Sequence, residues 1–149
     1  MEIQPDFRDL LELFNSHKVK YIIVGGYALA FHGAPRYTGD IDIFVASNAK
    51  NAERIFSALE DFGFGSVGLT SADFNKPGQI IQLGVPPVRI DIVTSISGVS
   101  WEEAESNQVK GIYGDIRVQY IGREQLIVNK KAVGRKKDLA DLEALGEDE

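Results

Sequence analysis

The chain has no cysteine among its 149 residues. That excludes disulfides, thiolate metal sites and a cysteine nucleophile, and it fits a reducing cytoplasm. It has two histidines and no Gly-x-Ser-x-Gly segment, so serine–histidine–acid catalysis has no support. No apolar run approaches the length needed to cross a bilayer, so no membrane association is expected. Met1-Glu2-Ile3-Gln4-Pro5-Asp6 is too acidic and polar for an export signal. Positive charge is in deficit: the formal net charge of −6 disfavours nonspecific binding to bulk nucleic acid. No internal repeat or low-complexity segment is visible. What remains is a chain of 44% hydrophobic residues, enough to bury the core of one compact domain spanning 1–149.

Hydrophobic spacing divides the chain into alternating element types. Phe7, Leu10, Leu11 and Phe14 recur at helical intervals, predicting a helix over 5–16 started by Pro5 or Asp6. Tyr21 to Val24 reads as a buried strand broken by Gly25-Gly26, Tyr27 to Phe31 as a short helix, and Gly33-Ala34-Pro35 as its end. A strand over 40–45 follows. Ala52, Ile55, Phe56, Leu59 and Phe62 mark a helix capped by Ser47 or Asn48 and stopped at Gly63. Strands are expected at 80–83 and 88–93, around the turn Gly84-Val85-Pro86-Pro87, and at 116–120. Helices are expected at 124–131 and 135–145, the latter with Leu139, Leu142 and Leu145 facing inward; 147–149 reads as a frayed tail. This order mixes α and β without the strict alternation of a doubly wound parallel sheet.

Within that order, Gly39-Asp40-Ile41-Asp42-Ile43-Phe44-Val45 sets two carboxylates two residues apart in an apolar strand. Alternate strand residues share a face, so Asp40 and Asp42 project together. Two ionised acids side by side repel and lose hydration where partly buried. A divalent cation of the Mg²⁺ type, which takes carboxylate oxygens, resolves that conflict. Asp91 in Val88-Arg89-Ile90-Asp91-Ile92-Val93 is a third acid on an otherwise apolar strand. By itself it reads as an ion-pair partner of Arg89 or Arg36. Beside the first strand it would complete a ligand set for two divalent ions, a clamp for phosphoryl chemistry. Val24-Gly25-Gly26-Tyr27-Ala28 is a strand-to-helix turn whose backbone N–H groups suit phosphate. It is neither a P-loop, lacking Gly-Lys-Ser/Thr, nor Gly-x-Gly-x-x-Gly.

Gly25-Gly26, Asp40-x-Asp42 and the later Asp91 together resemble the signature of the DNA polymerase β-like nucleotidyltransferase superfamily. Ala28-Leu29-Ala30-Phe31-His32-Gly33, Arg36-x-Thr38-x-Asp40 and Asn129-Lys130-Lys131-Ala132-Val133-Gly134-Arg135-Lys136-Lys137-Asp138-Leu139-Ala140-Asp141-Leu142 resemble its branch of AbiEii-type toxins and small prokaryotic nucleotidyltransferases. The resemblance implies an α/β (α+β) fold with a mixed, mostly antiparallel sheet flanked by helices. It implies an enzyme that moves an NMP from an NTP to a hydroxyl of an RNA (tRNA included), a protein or a small molecule. Asp40, Asp42 and Asp91 would be catalytic and would bind two Mg²⁺ ions, with Mn²⁺ as an alternative. The nucleotide would lie across Gly25 and Gly26. An antitoxin-like protein that binds a cognate toxin, or a toxin that meets its antitoxin, is the competing reading; a non-catalytic nucleotide-binding domain is a third.

Five cations at 130–137 stand without an intervening acid and read either as a solvated face or as a phosphate contact. Helical spacing puts Lys131 and Arg135 on one face, and this pair is the nucleotide-binding choice within the cluster. Arg36 and Thr38 are either structural or nucleotide contacts. Asp138 and Asp141 read as structural, Asp138 as a partner of Arg135. His32 reads as a capping or packing residue, His17 as a solvated one, and Trp101 as the anchored aromatic of an exposed acidic helix.

Overall fold

The computed structural model describes residues 3–36, 38–64, 68–85 and 88–146. The expectations for Met1-Glu2, Tyr37, the Pro86-Pro87 part of the turn and the 147–149 tail lie outside them. Helix α1 (Pro5–Ser16) starts at proline, whose missing N–H is harmless in a first turn. It buries Phe7, Leu10, Leu11 and Phe14, each burial contributing about 1.5–3 kcal/mol. Strand β1 (Tyr21–Val24) is buried throughout and runs directly into α2 (Gly25–Phe31). Strand β2 (Asp40–Val45) alternates half-buried acids with buried isoleucines before ending fully buried. Helix α3 (Ala49–Phe62) packs on α1; the Asn48 side chain caps it by accepting from the Asn51 N–H at 2.9 Å, and Gly63 at φ 104° ends it.

A 3₁₀ turn (Ser71–Phe74) leads to β3 (Ile80–Leu83) and β4 (Arg89–Val93). Then come α4 (Trp101–Ser106), β5 (Val109–Tyr113), β6 (Ile116–Tyr120), α5 (Arg123–Val133) and α6 (Lys136–Ala144). The sheet order is β3-β4-β2-β1-β6-β5. The pairs β2/β4 and β1/β6 are parallel; β1/β2, β3/β4 and β5/β6 are antiparallel. This is the expected mixed sheet with an antiparallel majority.

Three features depart from the sequence reading. Strand β5 was not foreseen, because Lys110 and Gly111 interrupt its apolar alternation; pairing with β6 at the sheet edge holds it instead. Leu139 does not face inward: it is 51% exposed, whereas Asp138 and Asp141 are buried with Leu142. Burial of these acids follows from the cations that meet them, described below. His17 is not merely solvated, since its Nε2 lies 2.7 Å from Asp61 Oδ2. His32 is a packing residue, its Nε2 bonded to the Ile121 carbonyl at 2.7 Å, and Trp101 is anchored edge-on against Phe44.

Candidate active site

Parallel pairing of β2 with β4 sets Asp42 opposite Asp91 and Asp40 opposite Arg89. Strand alternation then turns all four side chains to one face. The three carboxylates of Asp40, Asp42 and Asp91 offer oxygens that all lie within 4.8 Å of one another. Such crowding is costly for three anions. Burial, then the charges of Asp40 and Asp91, push the Asp42 carboxyl up to about 7. Burial, then Asp40, also raises that of Asp91, against the opposing pull of Arg89. Arg89 Nη2 bridges the cluster, 3.0 Å from Asp40 Oδ2 and 3.2 Å from Asp91 Oδ2. One guanidinium leaves most of the charge uncompensated. Asp91 Oδ1 is buried and accepts no hydrogen bond among the described residues. An acidic trio with one orphaned buried oxygen and an elevated carboxyl is a donor set that fits a hard divalent cation.

Antiparallel pairing with β1 brings Val24 opposite Asp42, so the chain turns into α2 directly beside the acids. Gly25 makes that turn at φ 67°, in the left-handed region. A β-carbon there would run into the Asp42 carboxylate. Gly26 is packed tightly but less closely: a β-carbon would lie 3.0 Å from Thr38 Cβ. Thr38 in turn donates its hydroxyl to the Asp40 carbonyl at 3.1 Å, holding the start of β2.

Most of these groups line one open cleft of about 320 Å³, whose lining does not include Asp91 or Arg89. Val24, Gly25, Gly26, Asp40 and Asp42 form one part of its wall, with Thr38 and Arg36 from the loop before β2. Lys130, Arg135 and Lys137 supply positive charge to the same cleft, and Val93 and Ile96 an apolar strip. Lys131 is not among the lining residues; it is exposed on α5. The spacing that paired it with Arg135 fails because Gly134, at φ 68°, ends α5 between them, so the two do not share a helix.

Behind the cleft lies a buried ionic seam that the sequence did not reveal. Lys130 is 4% exposed, and its Nζ sits 2.9 Å from Asp141 Oδ2 and 3.2 Å from Asp138 Oδ1. Arg36 grips Asp141 with two bonds, Nε to Oδ1 at 2.8 Å and Nη2 to Oδ2 at 3.2 Å. Arg135 Nε donates to Asp138 Oδ2 at 2.7 Å. Burial pushes both carboxyls upward, yet the cations prevail: Arg135 and Lys130 hold Asp138 below the ordinary range, and Arg36 and Lys130 do the same for Asp141. The pairing of Arg135 with Asp138 was legible from their spacing. The Arg36–Asp141 pair spans 105 residues and was not.

Strand order, paired acids and glycine turn define the nucleotidyltransferase fold. The chain belongs to the family described as nucleotidyl transferase of unknown function (DUF2204), whose model matches residues 4–148. It is accordingly an enzyme of the nucleotidyltransferase kind. Among solved structures it is similar to a nucleotidyltransferase described from Thermotoga maritima, with 16% identity over 95% of this chain and 93% of that one and a TM-score of 0.64. It is also similar to the lincosamide antibiotic adenylyltransferase LnuA in its lincomycin-bound form, with 16% identity over 98% of each chain and a TM-score of 0.58. At such identity the likeness is one of fold. Comparison with curated protein sequences gives no match. No helix among the described residues is long and apolar enough to cross a membrane.

Proposed function

We propose that this chain transfers a nucleoside monophosphate from an NTP to an acceptor hydroxyl with a divalent metal, Mg²⁺ as two ions or Mn²⁺ in its place. The observation that carries the reading is the convergence of Asp40, Asp42 and Asp91 beside the Gly25-Gly26 turn. The three acids are the catalytic residues and would hold the metal, whose chemistry is to offset charge on the transferring phosphoryl group. Gly25 and Gly26 let the backbone approach the phosphates, while Arg36 and Arg135 face them and Thr38 fixes the start of the acidic strand. Lys130 and Lys137 take the part expected of Lys131, which stands outside the cleft. Asp91 orients the acceptor hydroxyl and takes its proton. Arg36-x-Thr38-x-Asp40 and the Lys130–Asp141 segment support placement in the AbiEii-type branch. We also infer one cytoplasmic domain spanning 1–149.

The acceptor is best sought first among small molecules, because the LnuA chain, of matching extent, is described as a lincosamide adenylyltransferase. The test is incubation with each α-labelled NTP, Mg²⁺, and in separate arms small hydroxyl compounds and RNA. Labelled product that disappears with EDTA is expected. Absence of product with every nucleotide, together with absence of metal-dependent NTP binding, overturns the proposal.

Gly25→Ala offers a second check. The new methyl meets Asp42 in a backbone conformation unsuited to L side chains, so Asp42 must move. Affinity for Mg²⁺·NTP in calorimetry is expected to fall at least about tenfold, with a loss of about 1–3 kcal/mol in stability. Wild-type affinity in this variant would show that the turn plays no part in binding.

A further inference from the structure

We propose that the exposed face of edge strand β3 is the acceptor platform, and that it takes a small neutral hydroxyl compound with an apolar face. The inference rests on the nucleotidyl-transfer reading above and extends it to the second substrate. Register places Gln82 opposite Asp91 and Ile80 opposite Val93. Cross-strand partners point to the same face, about 5 Å apart. Gln82 and Ile80 therefore extend the sheet face that carries the acids and Val93 out to the sheet edge, beside the cleft whose lining includes Val93. Ile80 is 67% exposed and Gln82 is exposed, whereas Leu83, pointing the other way, is buried. The core thus claims one side of β3 and leaves the catalytic side bare.

Sheet order gives the platform its meaning. The sequence of strands β3-β4-β2-β1 puts the glycine turn, at the end of β1, and strand β3 on opposite sides of the acids. The cations of the cleft belong to the glycine side, since α5 packs against α2. Phosphoryl transfer proceeds with attacking and leaving oxygens in line. With pyrophosphate leaving on the cationic side, the acceptor must approach over Asp91 from β3. Its hydroxyl oxygen bonds to the α-phosphorus, the bond from phosphorus to the pyrophosphate oxygen breaks, and the hydroxyl proton goes to the Asp91 carboxylate.

The chemistry of the platform selects the acceptor. Strand β3, Ile-Ile-Gln-Leu, has no charged side chain. The neighbouring Arg89 is already bonded to Asp40 and Asp91. An RNA acceptor needs cations along its backbone path. A neutral molecule needs what is present: one apolar side chain to cover its ring and one amide to bond its polar edge.

Phenyl β-D-glucoside serves as the small-molecule probe and bulk tRNA as the RNA probe. Saturation-transfer NMR is recorded with Mg²⁺ and the NTP that binds most tightly, on the wild type and on Ile80→Lys and Gln82→Lys, both at exposed positions that tolerate substitution. Phenyl-ring signal is expected in the wild type and should drop at least about fivefold in each variant, while Mg²⁺·NTP affinity in calorimetry stays within about twofold. No glucoside signal in the wild type, or signal unchanged in both variants, overturns the platform and leaves nucleotide transfer standing. Labelling of tRNA that the added lysines increase overturns it in favour of RNA. Failure of the wild type to bind any Mg²⁺·NTP removes the underlying transfer reading as well, and calorimetry registers that separately.

Discussion

Replacing Asp42 with asparagine is expected to abolish transfer while raising the thermal midpoint of the metal-free protein. Asp42 stands between Asp40 and Asp91, with a carboxyl pushed up to about 7 by burial and by those two charges. A group whose carboxyl is raised in the folded state stabilises the fold fully below its unfolded value and loses that contribution as pH rises through the folded one. Here the loss runs from about pH 4 to about pH 7. Allowing for solvent screening at a half-buried position, the penalty at neutral pH is on the order of 2 kcal/mol. Asparagine has the same shape and no charge to lose. The midpoint of the variant should therefore match the wild type near pH 4 and exceed it most above pH 7. Comparing the two proteins at each pH removes the opposite trend of Asp138 and Asp141, whose lowered carboxyls add stability as pH rises through the acidic range. Millimolar Mg²⁺ should raise the wild type and leave the variant nearly unmoved. Transfer should fall at least about 10³-fold, the scale of losing one preorganised electrostatic contact in a transition state. A variant that is less stable than wild type at pH 8 without metal would make Asp42 a structural acid.

Asp141→Asn is expected to have the largest effect on stability. Asp141 is the common partner of Lys130 and Arg36, and it is 3% exposed. Removing one of the two carboxylates that neutralise a buried cation costs up to about 3–5 kcal/mol, because the desolvated cation cannot regain water. In a chain of this size that is a fall of roughly 10 °C in the midpoint. The same substitution removes one of the contacts that hold Arg36 and Lys130 beside the cleft, so Mg²⁺·NTP affinity should weaken as well. Adding Lys130→Met to the variant separates the two effects. The double variant lacks the buried cation that has lost one of its two carboxylates and should recover most of the stability, yet nucleotide affinity should stay low, since the cleft is then short of positive charge. Recovery of both would show that the seam serves packing alone.

Strand alternation made Asp40 and Asp42 readable as a shared face, and the glycine pair was readable as a turn. Both depend on near neighbours in the chain. Asp91 was recognisable only by its chemistry, because the parallel pairing of β2 with β4 leaves no local trace. The Arg89 bridge to Asp40 spans 49 residues and the Arg36 grip on Asp141 spans 105. Lys131 falls outside the cleft for a local reason: at Gly134, between α5 and α6, the backbone turns left-handed and the helical relation between positions 131 and 135 is lost. Leu139 is exposed for a different reason, because apolar character alone does not decide which face of α6 is buried. In α6 two acids win the interior because buried cations await them. Strand β5 escaped notice because an edge strand needs little apolar alternation once a partner strand supplies its hydrogen bonds.

The ionic seam ties the loop before β2 to α6, and this sets an order of events during biosynthesis. A growing polypeptide holds its glycine turn and all three acids well before residues 138 and 141 have been added. Until then Arg36 and Lys130 lack the carboxylates that fix them. Competence to handle a nucleotide thus waits on residues 138 and 141, so a nascent polypeptide that stops short of them would be inert toward NTP rather than an unregulated catalyst.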